Sequence, residues 1–168
     1  MRLSVSAYDR AEREAESRLS NRIIEAGKPS TFALRGYPIA VDREEALWRY
    51  VDVMHELGEE QSYEETLGGL LSEEFDLFSE VTRAVARMTQ ERYGCRMVPK
   101  GSLVRAFISY RFIRSISPPS DTSVLEIGPG SGYLGVLLAM TGYRYAATEV
   151  TQGFYLHQNH LWEYLFGD

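Results

Sequence analysis

A single cysteine, Cys95, stands among the 168 residues, so no disulfide can form within the chain. That suits a reducing compartment, or indifference to redox, and excludes a disulfide-stapled secreted fold. Basic residues are in the minority. The 18 Lys and Arg against 24 Asp and Glu leave a net charge of −6, which argues against a nucleic-acid partner held on a basic face. Long apolar runs are missing as well. No stretch approaches the roughly 18 apolar residues of a membrane span. Met1-Arg2-Leu3 leads into charged sequence without the apolar core of a signal peptide. There is no internal repeat and no low-complexity segment. The expectation is a cytoplasmic protein with neither membrane nor nucleic acid among its partners.

What is present suffices for a packed core. Hydrophobic residues make up 44% of the chain, and the length allows one medium domain, or a small one with part of another. A Glu-, Arg- and Ala-rich stretch from about Ala7 to Ala26 predicts one helix, with Leu19, Ile23 and Ile24 as its apolar end and Glu12, Arg13 and Arg18 on a solvated face. Asp42-Arg43-Glu44-Glu45 resembles a capping box for a helix to about Leu57, with Leu47, Tyr50, Val51 and Met54 in the core and Trp48 and His55 packed or solvated. Ser62 and Glu65 open a short helix that Gly68-Gly69 interrupts. Ser72 then caps a long helix to Gly94 with Phe75, Phe78, Val81, Val85 and Met88 on one face. A broadly apolar helix follows from Gly101 to about Ser117. Its Arg105, Arg111 and Arg114 are candidates for an anionic partner, although pairing with helix carboxylates is the favoured reading. Ser117-Pro118-Pro119-Ser120-Asp121 is the clearest boundary. It divides a helical region, 1–119, from a second unit, 120–168.

That second unit carries the informative stretch. Val124, Leu125 and Ile127 form the apolar run of a parallel strand buried on both faces. Gly128-Pro129-Gly130-Ser131-Gly132 is a glycine turn, and a helix from about Tyr133 to Met140 starts after it. The spacing is G-x-G-x-G. Tyr133 falls where a dinucleotide fingerprint has its third glycine, and Glu126 stands where that site has an apolar residue, so a nicotinamide-dependent oxidoreductase is disfavoured. The Lys and Ser/Thr of a P-loop are absent. After the Thr141-Gly142 helix stop, 143–150 reads as a second strand ending in Glu149. An acid about 20 residues past the first glycine is where α/β nucleotide folds set a carboxylate on ribose hydroxyls. Val150 beside it is a candidate adenine contact.

The pattern Glu126-x-Gly128-x-Gly130-x-Gly132 on a strand resembles motif I of the class I S-adenosylmethionine (SAM)-dependent methyltransferases. With Glu149-Val150-Thr151-Gln152-Gly153-Phe154-Tyr155-Leu156-His157-Gln158-Asn159-His160, it is similar to a bacterial group of sugar O-methyltransferases, which also carry helices before the catalytic domain. The resemblance implies an α/β chain: an N-terminal helical region, then an incomplete Rossmann-like βαβα start. It implies SAM as cofactor and a small-molecule acceptor, a sugar hydroxyl in this group. Glu126, Gly128, Gly130 and Gly132, with Pro129 and Ser131 in the same loop, would surround the methionine part; Glu149 would take the ribose. The family's sheet needs several more strands than the two read here. The chain is then a fragment, a unit whose sheet another chain completes (a second copy included), or a stand-alone module in which the helices cover the small sheet. The alternative function is a non-catalytic helical interaction or dimerisation module with a vestigial cofactor loop. His157 and His160 share a helix face, but no third ligand completes a metal site, and a structural or substrate-lining helix is the favoured reading. Imidazole chemistry also makes either a candidate base for a hydroxyl. No catalytic base is identified.

Overall fold

The computed structural model describes residues 3–27, 41, 43–47, 51, 67–99 and 101–167. The readings at Trp48, Tyr50, Met54, His55, Ser62 and Glu65, and those over 28–38, lie outside the described residues. Among the described residues the content is mixed and mostly helical, with a parallel sheet of two strands. Among the described residues no helix is long and apolar enough to cross a membrane.

The N-terminal stretch forms two helices where one was expected: α1 (Val5–Glu16) and α2 (Asn21–Gly27). The break lies at Ser17–Ser20. Ser17 Oγ donates to Glu14 O at 2.7 Å, and Ser20 O takes the first amides of the second helix, Ile23 N and Ile24 N. Serine side chains compete for backbone groups in this way and favour helix ends over interiors. Of the expected apolar end of this segment, Leu19 and Ile23 are exposed and Ile24 alone is half-buried. Ser4 caps α1, accepting from Ala7 N at 3.2 Å.

Leu47 and Val51 are fully buried, as their spacing predicts. Helix α3 (Ser72–Tyr93) is capped by Leu71 rather than Ser72, and Glu74 Oε2 accepts from Leu71 N at 2.9 Å. It ends on Gly94 in the left-handed region. Val81, Val85 and Met88 are buried, while Phe78 meets Phe107 edge-on at 5.9 Å. Phe75, in the first turn, is exposed, so the packed stripe starts one turn later than the sequence suggests. In α4 (Gly101–Ile116) Leu103, Phe107 and Tyr110 face inward, but Phe112 and Ile116 face out. Arg111 grips Glu74 through both carboxylate oxygens (2.9 and 2.5 Å) and donates to the carbonyls of Leu67 and Gly69. Arg114 reaches Glu73 and Tyr110 Oη. Both arginines are thus engaged on helix carboxylates.

After the 3-10 turn Pro119–Asp121 come β1 (Ser123–Ile127), α5 (Tyr133–Met140), β2 (Arg144–Thr148) and α6 (Gln152–Phe166). The strands run parallel in register Ser123↔Arg144 to Ile127↔Thr148, so α5 is the crossover of a βαβ unit. α4 packs on α5, and α3 and α1 pack on α6. One hydrophobic cluster, from Val5 through Val85, Phe107 and Leu137 to Leu161, runs through the helical region and the βαβα unit alike. The expected burial of β1 on both faces does not hold: Leu125 is 65% and Ile127 83% exposed. Strand side chains alternate, and α5 and α6 cover only the face that carries Val124 and Tyr145.

Candidate functional site

The sheet ladder continues past β1, because Gly128 N donates to Thr148 O at 2.9 Å. The chain then turns through Gly128, Gly130 and Gly132 at φ 71°, 59° and 76°, the left-handed region that only glycine adopts without strain. Gly132 N donates to Pro129 O at 3.1 Å, closing the turn that delivers Gly132 as the N-cap of α5. Gly132 is also a close approach: a Cβ there would lie 2.6 Å from Gln158 Cγ on α6. Ser131 is buried and bonds the side chain of Tyr133, which is itself in the core. Burial holds the Tyr133 phenol well above its ordinary range.

Glu149, two residues before the N-cap of α6, folds back onto the loop. Its Oε1 accepts from Val150 N and Thr151 N, both at 2.9 Å, and its Oε2 accepts from Gly130 N at 3.1 Å. The acid at the end of β2 and the middle of the glycine loop are therefore in direct contact. Glu126 sits half-buried on β1, where Tyr145 Oη donates to its Oε2 at 2.6 Å. Burial raises its carboxyl above the usual range. The Tyr145 bond opposes this, and the neighbouring Glu149 charge adds to it.

Two clefts flank the loop. One, of about 340 Å³, opens between α4 and the loop and is lined by Ser102, Arg105 and Ser109 opposite Glu126, Pro129, Gly130 and Ser131. The other, of about 330 Å³, lies along α6 and β2, with Glu149, Tyr155, Gln158 and Trp162 in its walls. The structure thus gathers the loop with both acids, but it sets Glu126 in one cleft and Glu149 in the other. Val150 lines neither and is 88% exposed. Of the three arginines on α4, Arg105 lines the first of these clefts, and Arg111 and Arg114 line neither.

His157 and His160 are in the core. Tyr93 Oη lies 3.5 Å from His157 Nδ1 and 3.0 Å from His160 Nδ1. His160 Nε2 is 2.8 Å from Leu3 O, which only accepts, so that nitrogen carries the hydrogen. Neither histidine lines either of these two clefts. Among the described residues no group of three His, Cys, Asp or Glu is placed to hold a metal ion. The pair ties α6 to α3 and the N-terminus, which is the structural reading of that helix. Gln158, by contrast, did not stand out in the sequence beyond its polarity. Its Nε2 donates to Gly130 O at 2.5 Å, a contact spanning 28 positions that no local spacing signals.

No protein-family model matches this sequence, and no curated protein or solved structure matches it either.

Proposed function

We propose that the βαβα unit is the cofactor-binding start of a Rossmann-like domain, and that the chain serves a SAM-dependent methyltransfer to a small-molecule hydroxyl, with a sugar as the acceptor class suggested by the sequence resemblance. The observation that carries this reading is the 3.1 Å bond from Gly130 N to Glu149 Oε2. It joins the glycine loop to the second-strand acid, the two features such a site needs side by side. The residues suit the ligand. A Cβ built on Gly128 or Gly130 meets nothing within 4 Å, so the outer side of the loop is open to close approach. Oε2 of Glu149 accepts one hydrogen bond among the described residues, which leaves a lone pair for a ribose hydroxyl. In this reading Glu126 and the loop, Gly128 to Gly132, hold the amino-acid part, Glu149 the ribose and Val150 the adenine edge. SAM would supply a methyl group activated on a sulfonium sulfur. The chain's contribution is to hold and orient the reactants, and no residue is assigned as base.

The test is a thermal-unfolding comparison with S-adenosylhomocysteine and with NAD⁺. A ligand at 100 times its Kd stabilises by about 2.7 kcal/mol. A rise in Tm with S-adenosylhomocysteine alone supports the proposal. A rise with NAD⁺ alone would replace it with a nicotinamide site, and no rise with either would sink it.

One observation favours a second reading, a non-catalytic interaction or dimerisation module with a vestigial loop. Leu125, Ile127 and Val150 together expose an apolar surface around the end of the sheet, of the kind that marks contact with another chain. Sedimentation that depends on concentration, and is abolished by Leu125→Asp, in a chain with no affinity for S-adenosylhomocysteine would favour it.

A further inference from the structure

We propose that Gln158 is a positioning residue: it fixes which way the Gly130–Ser131 peptide faces and thereby sets the chemistry of the group the glycine loop receives. Gln158 lies half-buried on α6 and donates through Nε2 to Gly130 O at 2.5 Å. Glu149 takes the N–H of the same glycine at 3.1 Å. Both backbone polar groups of Gly130 are therefore held, one by the acid after β2 and the other by an amide on the helix that follows. The fit leaves no slack, since a Cβ on the neighbouring Gly132 would lie 2.6 Å from Gln158 Cγ.

A trans peptide is planar, and its C=O and N–H point in opposite directions. With the Gly130 carbonyl turned to α6, the Ser131 N–H must face away from α6. Glycine makes this orientation soft, because Gly130 has no side chain to bias its ψ. The side-chain amide at 158 supplies the bias. The reversed peptide would present a carbonyl oxygen where the loop now presents a donor, and an oxygen there repels the acceptor groups that a donor attracts. Gln158 thus selects a ligand whose approaching atom is a hydrogen-bond acceptor, a carboxylate oxygen above all. This rests on the methyltransferase reading only in identifying that carboxylate with the methionine part of the cofactor.

The test uses the full chain and two variants. Gln158→Met keeps the volume without a donor. Gln158→Glu has a donor only while its carboxyl is protonated. The ¹H–¹⁵N signals of Ser131 and Gly132 are recorded without ligand, and S-adenosylhomocysteine affinity is measured beside them. In Gln158→Met both signals are expected to move, with far-UV circular dichroism unchanged and affinity weaker by roughly 10-fold. In Gln158→Glu they are expected to lie near the wild-type positions at acid pH and to leave them as pH rises, with affinity falling in step. A role in packing alone would not create that pH dependence. Signals that stay in place in both variants at every pH would overturn the positioning role, whether or not the ligand binds. Signals that move while affinity holds would overturn the link to ligand choice. Failure of the wild type to bind would remove the methyltransferase reading, while the ligand-free signals would still decide the positioning.

Discussion

On one face of the β1–β2 sheet, Tyr145 is wedged against Gly135 of α5, stacks on Trp162 of α6 at 5.9 Å and bonds Glu126. On the other face, Leu125 and Ile127 stand 65% and 83% exposed. Strand β1 supplies Glu126 to the first face and Leu125 and Ile127 to the second, while Tyr145 comes from β2. What separates the faces is where the crossover helix and its successor lie, and a strand's composition does not record that. The covered face is a packed interior with a half-buried acid in it. The open face has the composition of an interior without the cover, so substitutions on the two should differ in size.

Gly135→Val should have the largest effect. Even a Cβ at 135 falls 2.4 Å from the Tyr145 ring, and Trp162 behind the ring blocks its retreat. A loss of about 3 kcal/mol is expected by urea unfolding, the upper end of overpacking costs. A loss under about 0.5 kcal/mol would mean that the covered face is not packed as described.

The acid on that face sharpens the contrast through pH. Burial raises the Glu126 carboxyl in the folded chain, so the folded state holds the proton more tightly than the unfolded state. The stability contributed by this group is then fully present below the unfolded carboxyl value, about 4.3, and is lost as pH rises from there through the raised folded value. Glu126→Gln, which keeps an acceptor for Tyr145, should gain Tm relative to wild type as pH rises from 4 to 7. Glu74 should do the opposite. The Arg111 hydrogen bonds hold its carboxyl below the usual range, so its contribution is present above the unfolded value and is lost as pH falls through the folded one. Glu74→Gln should therefore lose Tm at neutral pH and converge on the wild type in acid. Parallel pH profiles for the two variants would contradict this.

The smallest effect belongs to the open face. Leu125→Thr with Ile127→Thr should change stability by no more than about 0.5 kcal/mol each, the usual range for surface positions. A combined loss above about 2 kcal/mol would show that this face is covered in solution.

The sequence displayed some of this plainly. Three glycines spaced by two, after an apolar run that ends in Glu126 and Ile127, leave few conformations open, and the strand–loop–helix they predict is present, with all three glycines at positive φ. Glu149 was legible for the same reason: it follows the second strand of a βαβ unit, and the fold brings that strand end to the loop. Contacts between distant residues were not legible. The bond from Gln158 to Gly130, the Tyr93 hydroxyl between two histidines, and the Asp9 carboxylate that takes Gln152 Nε2 at 2.5 Å all join residues far apart in the chain. Periodicity carries no information about such pairs. The helix break at Ser17–Ser20 went unread because the charge pattern on either side of it is continuous.

The most direct measurement is a calorimetric titration of the chain with S-adenosylhomocysteine, run in parallel on Glu149→Ala. Saturable binding to the wild type, weakened roughly 10-fold or more in the variant, is the result expected if the contact between the glycine loop and Glu149 is a cofactor site. A folded wild-type chain that releases no saturable heat, or a variant that binds as tightly as the wild type, would contradict it.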